Sequence, residues 1–193
     1  MQQNTSHHTP STTPWLARML AHENIRAAWA RVKGNRGAAG IDGVTIPQLT
    51  PRFAAEWAAT DARLREGDWK PLPVRCVDVP KAGGGRRTLG IPTVLDRVVE
   101  QAVAQVLTPV WEPLFSPRSY ACRAGRSAHA AAARLQQDAL AGEPWVVELD
   151  IAQFFDRLEH HRLLDLVATR SPEPEFLAIV RAFLEAGAVR AGG

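Results

Sequence analysis

An acidic residue, Asp150, directly follows the apolar segment 145–149 (WVVEL). A short apolar run of this kind predicts a buried β-strand. A carboxylate at the end of such a strand is held rigidly, and Mg²⁺ prefers one or two carboxylates together with phosphate oxygens and water. The alternative is that Asp150 only caps the turn that follows the strand, as Asp does in many turns. The sequence therefore marks Asp150 as a candidate metal ligand and leaves the structural role open.

Three basic residues flank the glycine-rich segment 82–85 (AGGG), namely Lys81, Arg86 and Arg87. The flanking sequences VRCVDV and RTLGI alternate apolar and polar residues, which predicts a β-hairpin with a flexible tip. Guanidinium and ammonium groups on such a hairpin could close over a triphosphate. An exposed hairpin that is basic only for solubility is the alternative.

A second basic segment, residues 116–127 (SPRSYACRAGRS), combines Arg118, Arg123 and Arg126 with Tyr120. Cations beside an aromatic ring suit a nucleic-acid backbone or a stacked base. Two consecutive aromatic residues, Phe154 and Phe155, follow Asp150 closely. Such pairs usually belong to a core, but their rings cannot both point the same way, so one of them could face a ligand sugar.

Helical periodicity and turn signals predict an α+β fold that is mostly helical. A glycine-rich loop at 34–45 (GNRGAAGIDGVT) requires positive φ or close backbone approach. Capping signals begin helices at Thr50–Pro51, Thr93 and Ser127, and Gly67 and Gly142 end two of them. The predicted helices cover residues 15–32 (with a break near 22–24), 50–66, 93–110, 127–141, 159–170 and 173–186, and the strands cover 74–79, 87–91 and 145–149.

Composition excludes several classes of protein. Hydrophobic residues make up 46% of the 193 residues and charged residues 22%, which is typical of a globular chain. No apolar run is long enough to span a bilayer, and the first dozen residues do not resemble a secretory signal. Cys76 and Cys122 match no zinc or disulfide pattern, so we expect reduced thiols and a cytoplasmic location.

The net charge is +2 over residues 1–69, +6 over 70–134 and −5 over 135–193. This distribution favours a polyanion-binding surface beside a region that could hold cations, or simply two solvated faces.

Four motifs in order resemble the fingers and first palm segment of group II intron-type bacterial reverse transcriptases. They are GAAGIDGVT, WKPLPVRCVDVPKAGGGRRTLGIPTVLDRVVEQAV, SYACRAGRSAHAA and WVVELDIAQFFDRLEHHRLL. The resemblance covers residues 15–190. It implies an N-terminal extension and fingers at 15–115, and further fingers with a partial palm at 116–193. The polar, low-complexity leader at 1–14 is expected to be disordered.

The resemblance assigns roles to individual residues. Asp150 matches the first catalytic aspartate, which binds both magnesium ions of the two-metal mechanism, and Ile151 would lend its backbone carbonyl to one of them. Phe155 matches the aromatic gate that rejects a 2′-hydroxyl group. Lys81 and Arg87 match the residues that grip the dNTP triphosphate.

The resemblance also implies partners: an RNA template, a DNA primer and dNTP, with intron RNA as a further candidate. Arg86, Arg123 and Arg126 are the expected nucleic-acid contacts, and the GAAGIDG loop is similar to the segment that touches the template. Ala121–Cys122, Ala124 and Thr88 depart from the usual glycine-phenylalanine and prolines of these motifs.

The larger departure is that the 193 residues contain no Asp-Asp dipeptide, so the Tyr-x-Asp-Asp element that supplies the other carboxylates is missing. Asp156 is expected to cap the next helix. We therefore expect the chain alone to be catalytically incomplete and to need a C-terminal palm and thumb. A non-catalytic RNA-binding module and a degenerate gene fragment are the alternatives.

Overall fold

A computed structural model of the chain describes residues 13–143 and 145–190. The predicted leader, residues 1–14, lies almost entirely outside this part. The chain divides into two compact units. The first contains the chain up to and including Val106 together with the segment from His160 onward, and the second is Leu107–Glu159. No helix among the described residues is long and apolar enough to cross a membrane.

The first unit contains most of the regular structure. Its helices are α1 (Trp15–Met19), α2 (His22–Gly34), α3 (Ile46–Leu49), α4 (Phe53–Glu66), most of α5 (Val94–Trp111), α7 (His160–Ala168) and α8 (Pro174–Glu185). Its strands are β1 (Val74–Pro80), β2 (Arg86–Ile91) and β3 (Ala188–Arg190). The predicted α+β class is confirmed.

The core of this unit forms around the apolar stripe of α5. Val94, Val98 and Ala102 are fully buried, as the helical spacing predicts. Phe176 of α8 is also fully buried, and its ring centroid lies 5.5 Å from that of Trp15. Glu173 accepts hydrogen bonds from the backbone N–H groups of Trp15 and Leu16, so α1 is fixed to the start of α8.

The predicted hairpin is present, and a third strand, β3, extends it into a three-stranded sheet. β1 pairs antiparallel with β2 and parallel with β3, giving the order β2-β1-β3. The sequence analysis missed β3 because three residues give no detectable alternation. Its pairing begins where the Gly187 carbonyl accepts a hydrogen bond from the Val74 N–H group at 3.1 Å.

The predicted helix start at Thr50 is wrong. Thr45 is the capping residue: its side chain accepts from the Gln48 N–H group, and Gln48 bonds back to the Thr45 N–H group. Thr50 instead donates its hydroxyl to the Ile46 carbonyl inside a 3₁₀ turn, Thr50–Arg52, that leads into α4. The reciprocal capping box therefore begins the helical segment five residues earlier.

The second unit contains the end of α5, α6 (Ala128–Leu140), and 3₁₀ turns at Glu112–Leu114 and Phe155–Arg157. Ser127 caps α6 as predicted, accepting from the Ala130 N–H group at 3.1 Å. The predicted palm strand at 145–149 is not formed. No described strand pairs with these residues, and Val147 and Leu149 are 80% and 89% exposed. A strand depends on a neighbour for its backbone hydrogen bonds, so an apolar sequence alone cannot form one.

Candidate nucleotide and nucleic-acid interface

The tip of the hairpin is a tight, glycine-supported turn. Pro80 and Arg86 are its last paired residues, and the Lys81 N–H group donates to the Gly85 carbonyl at 3.0 Å. Gly84 and Gly85 have φ angles of 91° and 80°, which residues with a Cβ rarely adopt. The glycine-rich segment is thus required by the backbone conformation of the turn.

The basic side chains of the hairpin are exposed. Lys81, Arg86 and Arg87 all face solvent. Arg86 donates through Nη2 to the Asp78 carbonyl across the strands at 3.1 Å, and Thr88 donates to the Asp78 carboxylate at 2.6 Å. Because consecutive strand residues point to opposite faces, Arg86 and Arg87 lie on opposite faces of the hairpin. Each face of the hairpin tip therefore carries one of these two exposed guanidinium groups.

The glycine-rich loop 34–45 is fixed against the sheet and α5. Arg75 of β1 donates to the Ala39 carbonyl through Nε at 3.2 Å and Nη2 at 2.6 Å. Arg97 of α5 donates to the neighbouring Ala38 carbonyl. Gly43 has a φ of 70°, and Gly40 lies in contact with the Thr93 backbone. Both requirements predicted for this loop, positive φ and close approach, are confirmed.

In the second unit, Arg123 lies at the centre of the basic segment. Its side chain is only 8% exposed and forms an ion pair with Glu112 at 2.8 Å. The same guanidinium donates to the carbonyls of Ser116 at 2.6 Å and Ser119 at 2.9 Å. It also lies 5.4 Å from the ring centroid of Phe115. Most of its donors are therefore used within the protein.

The neighbouring arginines are more accessible. The Arg118 side chain is 65% exposed and lies 3.5 Å from the Asp138 carboxylate. Arg126 is partly exposed, lies 5.4 Å from the ring centroid of Tyr120 and donates to the Pro117 carbonyl. A cation beside a partly exposed aromatic ring can receive a phosphate and a base together.

The segment around Asp150 is exposed throughout. Asp150 and Ile151 both face solvent, and Phe155 is 84% exposed while Phe154 is 47% exposed. The two rings contact each other edge to face, with centroids 5.2 Å apart. Neither phenylalanine is a core residue here.

No cluster of metal-binding side chains surrounds Asp150 in the part of the chain that the structure describes. Asp156 lies inside the 3₁₀ turn Phe155–Arg157, three residues before the position that would cap α7. Within residues 13–143 and 145–190, no group of three or more His, Cys, Asp or Glu side chains could hold a metal ion. The described residues do not by themselves fit a two-ion centre.

The predicted site residues divide between the two units. Lys81, Arg86 and Arg87 belong to the first unit, and Arg123, Arg126, Asp150, Ile151 and Phe155 belong to the second.

Arg75 and Arg97 were not predicted from the sequence, because the spacing of a strand or helix does not identify a distant carbonyl partner. The sequence analysis also missed Glu112, for which a signal existed: Glu112 is the one acidic residue between Glu100 and Asp138, in a stretch rich in arginine.

A protein family matches more than half of the chain. Residues 79–192 match the family described as "Reverse transcriptase (RNA-dependent DNA polymerase)". Protein YkfC of Escherichia coli (strain K12) is 34% identical over 184 residues, which are 92% of this chain and 48% of that protein. The group II intron-encoded protein LtrA of Lactococcus lactis subsp. cremoris is 33% identical over 125 residues, 64% of this chain and 21% of LtrA. The chain thus spans about half the length of the first of these relatives and about a fifth of the second.

A solved structure shares the fold. A chain of the partial Cas6-RT-Cas1–Cas2 complex superimposes with a TM-score of 0.58 at 20% identity, covering 89% of this chain and 28% of that one. At this identity the likeness concerns the fold alone. The mixture of helices with a small sheet is that of a reverse transcriptase fingers and palm region.

Proposed function

The chain belongs to the reverse transcriptase (RNA-dependent DNA polymerase) family, and from this premise we propose that it is the fingers and partial palm of a group II intron-type polymerase. In this proposal, residues 15–115 form the N-terminal extension and fingers, and residues 116–193 form further fingers and part of the palm. The partners are an RNA template, a DNA primer and dNTP, with intron RNA as a further candidate, and the location is cytoplasmic.

One observation above all supports nucleotide binding: the exposed hairpin that carries three basic side chains around a turn of low bulk. Lys81 and Arg87 would hold the triphosphate of the incoming dNTP, since ammonium and guanidinium groups pair with phosphate oxygens. Arg86, on the opposite face, would contact the nucleic-acid backbone. Phe155 would exclude a ribose 2′-hydroxyl by occupying its space, and its exposed ring is available for that contact.

The chain alone is proposed to be catalytically incomplete. Reverse transcriptases generally use divalent metal ions, and a pair of ions bound to both reacting oxygens needs several carboxylates. Here Asp150 supplies one carboxylate and Ile151 one carbonyl, and the described residues hold no further cluster of ligands around them. Asp150 and Ile151 would hold Mg²⁺ only together with the carboxylates of a C-terminal palm.

Nucleic-acid binding is tested by measuring the affinity of the chain for a labelled single-stranded RNA over a range of salt concentrations. For single strands, log K falls with log salt by about 0.7 for each phosphate contact. The Arg86→Gln/Arg87→Gln variant, which removes one proposed backbone contact, should weaken binding and reduce this slope by about 0.7. The matched control, Arg52→Gln/Arg63→Gln, removes two exposed arginines of the α4 region and should bind as the unmodified chain does. Binding that ignores salt, or equal losses in both variants, would contradict the proposal.

A non-catalytic RNA-binding module remains the second candidate. It is favoured by the +6 charge of residues 70–134, together with the lack of a cluster of three or more metal-binding side chains among the described residues. The two proposals agree on RNA binding and differ on dNTP. If dNTP slows amide hydrogen exchange in the hairpin, and Lys81→Ala abolishes this effect, the result supports the polymerase. RNA binding without any effect of dNTP on this exchange supports the module.

A degenerate fragment is the third candidate, favoured by the exposed apolar side chains of residues 145–155. Contiguous exposed apolar surface promotes association. This candidate predicts a chain that self-associates in sedimentation velocity experiments and lacks RNA binding. A monodisperse chain that unfolds cooperatively would exclude it.

A further inference from the structure

Arg123 has the contacts of an internal brace. Its Nε donates to the Glu112 carboxylate at 2.9 Å, and its Nη2 lies 3.4 Å from the Glu112 carbonyl. Its Nη1 donates to the carbonyls of Ser116 and Ser119. All three nitrogens of one guanidinium are thus engaged by the chain that precedes it. A lysine could not reproduce this set, because its ammonium group has no planar fork.

These contacts join the basic segment to the 3₁₀ turn that precedes it. Glu112 begins the 3₁₀ turn after α5, whereas Arg123 lies eleven residues later, shortly before α6. Between them the backbone reverses: Ser119 N–H bonds to the Ser116 carbonyl at 3.0 Å, and Cys122 has a φ of 56°. A non-glycine residue in this conformation is held there by its surroundings. The guanidinium of the next residue, Arg123, is fixed by its ion pair with Glu112.

Tyr120 lies three residues before Arg123 in the basic segment, and Arg126 lies three residues after it. The Arg126 N–H group donates to the Arg123 carbonyl at 3.2 Å, so the backbone at residue 126 is joined to the backbone at residue 123. The Arg126 guanidinium in turn lies beside the Tyr120 ring. The Arg123 side chain is 8% exposed, whereas Arg126 is partly exposed. The two arginines therefore have different tasks.

We infer that Arg123, paired with Glu112, is a positioning residue that holds Tyr120 and Arg126 in the arrangement in which they bind single-stranded nucleic acid. The inference rests on the proposed function and deepens it. It replaces a direct phosphate contact by Arg123 with an indirect role. It also assigns a function to Glu112, whose negative charge on its own would repel a polyanion.

Substitution of Glu112 separates this role from simple electrostatics. Glu112→Gln removes a negative charge next to the basic segment, so electrostatics alone predicts tighter RNA binding. The positioning role predicts weaker binding, by about tenfold, the equivalent of about 1.4 kcal/mol. Arg123→Lys should weaken binding to a similar extent although the charge is kept. The matched control, Arg63→Lys, is a charge-conserving change at an ion-paired arginine of α4 in the first unit and should bind normally.

A spectroscopic signal reports the arrangement without any RNA. Tyr120 is the single tyrosine of the chain, so biosynthetic labelling with 3-fluorotyrosine gives one ¹⁹F NMR resonance from the segment itself. In the unmodified chain and in Arg63→Lys this resonance should differ from that of free fluorotyrosine. In Glu112→Gln and Arg123→Lys it should move towards the free value while circular dichroism shows the helices intact.

The two readouts distinguish two failures. An unchanged resonance in both variants, or tighter RNA binding by Glu112→Gln, would overturn the role of Arg123. Absence of RNA binding by the unmodified chain would overturn the proposed function instead. In that case the fluorine resonance still decides whether Arg123 and Glu112 order the segment.

Discussion

Gly40 lies directly against the backbone of Thr93: a Cβ atom on Gly40 would be 2.5 Å from the Thr93 Cα atom and 2.6 Å from its nitrogen. Thr93 precedes α5, the most buried helix of the first unit, and donates its hydroxyl to the buried Asp96 carboxylate at 2.7 Å. The glycine-rich loop 34–45 thus packs against the start of α5. The contact is between backbone atoms, which cannot move aside as a flexible side chain could.

Gly40→Ala should therefore destabilise the chain. Backbone cannot yield to a methyl group at this distance, and overpacking of this kind costs about 1–3 kcal/mol. The matched control is Gly34→Ala at the end of α2, where a Cβ would meet nothing within 4 Å. That variant should be neutral or gain up to about 1 kcal/mol from helix propensity. Urea unfolding measures both, and equal stability of the two variants would contradict the close contact.

The sequence predicted the elements whose signals are local. The stripe of Val94, Val98 and Ala102 and the cap at Ser127 needed no distant partner, and they are confirmed. The strand at 145–149 failed because its apolar pattern specifies only what a strand would bury, not which strand would pair with it. β3 was missed for the converse reason: three residues are too few for a pattern, although their pairing with β1 forms a strand.

Glu100 should make stability depend on pH. It lines a cavity of about 290 Å³ with Val32, Asn35 and Arg97. Burial, followed by the negative charge of Asp96, raises the pKa of Glu100 to about 7 from a reference of 4.5, and Arg97 opposes the shift. Between these two values the folded state binds more protons than the unfolded state. The contribution of Glu100 to stability is therefore most favourable below 4.5 and is lost as the pH rises to about 7.

Glu100→Gln removes this dependence. Relative to the unmodified chain, its free energy of unfolding should be unchanged near pH ~4 and higher by up to about 3 kcal/mol near pH ~8. The control Glu66→Gln makes the same change of charge at an exposed position and should leave the profile of the unmodified chain intact. Urea unfolding across this pH range measures the difference. A gain in Glu100→Gln that is the same at every pH would contradict the assigned cause.

The cap of α6 should control the local stability of that helix. α6 contains no buried residue, so tertiary packing contributes little and the Ser127 hydroxyl counts for more. Ser127→Ala should cost about 1 kcal/mol, and amide hydrogen exchange in α6 should accelerate about fivefold. Ser127→Asp keeps an acceptor at the helix N-terminus and should restore the protection. Equal exchange in all three chains would show that contacts other than the cap hold α6.

The candidate site was predicted in its residue types and only partly in its arrangement. The exposed Lys81, Arg86 and Arg87 follow from the hairpin pattern, which is local. The role of Arg123 does not follow from its charge, since identical arginines at 123 and 126 differ only in what surrounds them. Burial of one guanidinium against Glu112 is a property of the folded segment, and sequence reasoning had no means to separate the two.

The chain alone should not extend a primer. With an RNA template, an annealed DNA primer, all four dNTPs and Mg²⁺, we expect no product above background. Two metal ions need several carboxylates, and the described residues contain no group of three or more metal-binding side chains. A gel of labelled primer measures this directly. The decisive control is Asp150→Ala: Mg²⁺-dependent incorporation that disappears in this variant would show that the described residues complete a catalytic centre. Incorporation that survives in Asp150→Ala would identify a contaminating polymerase and leave the expectation standing.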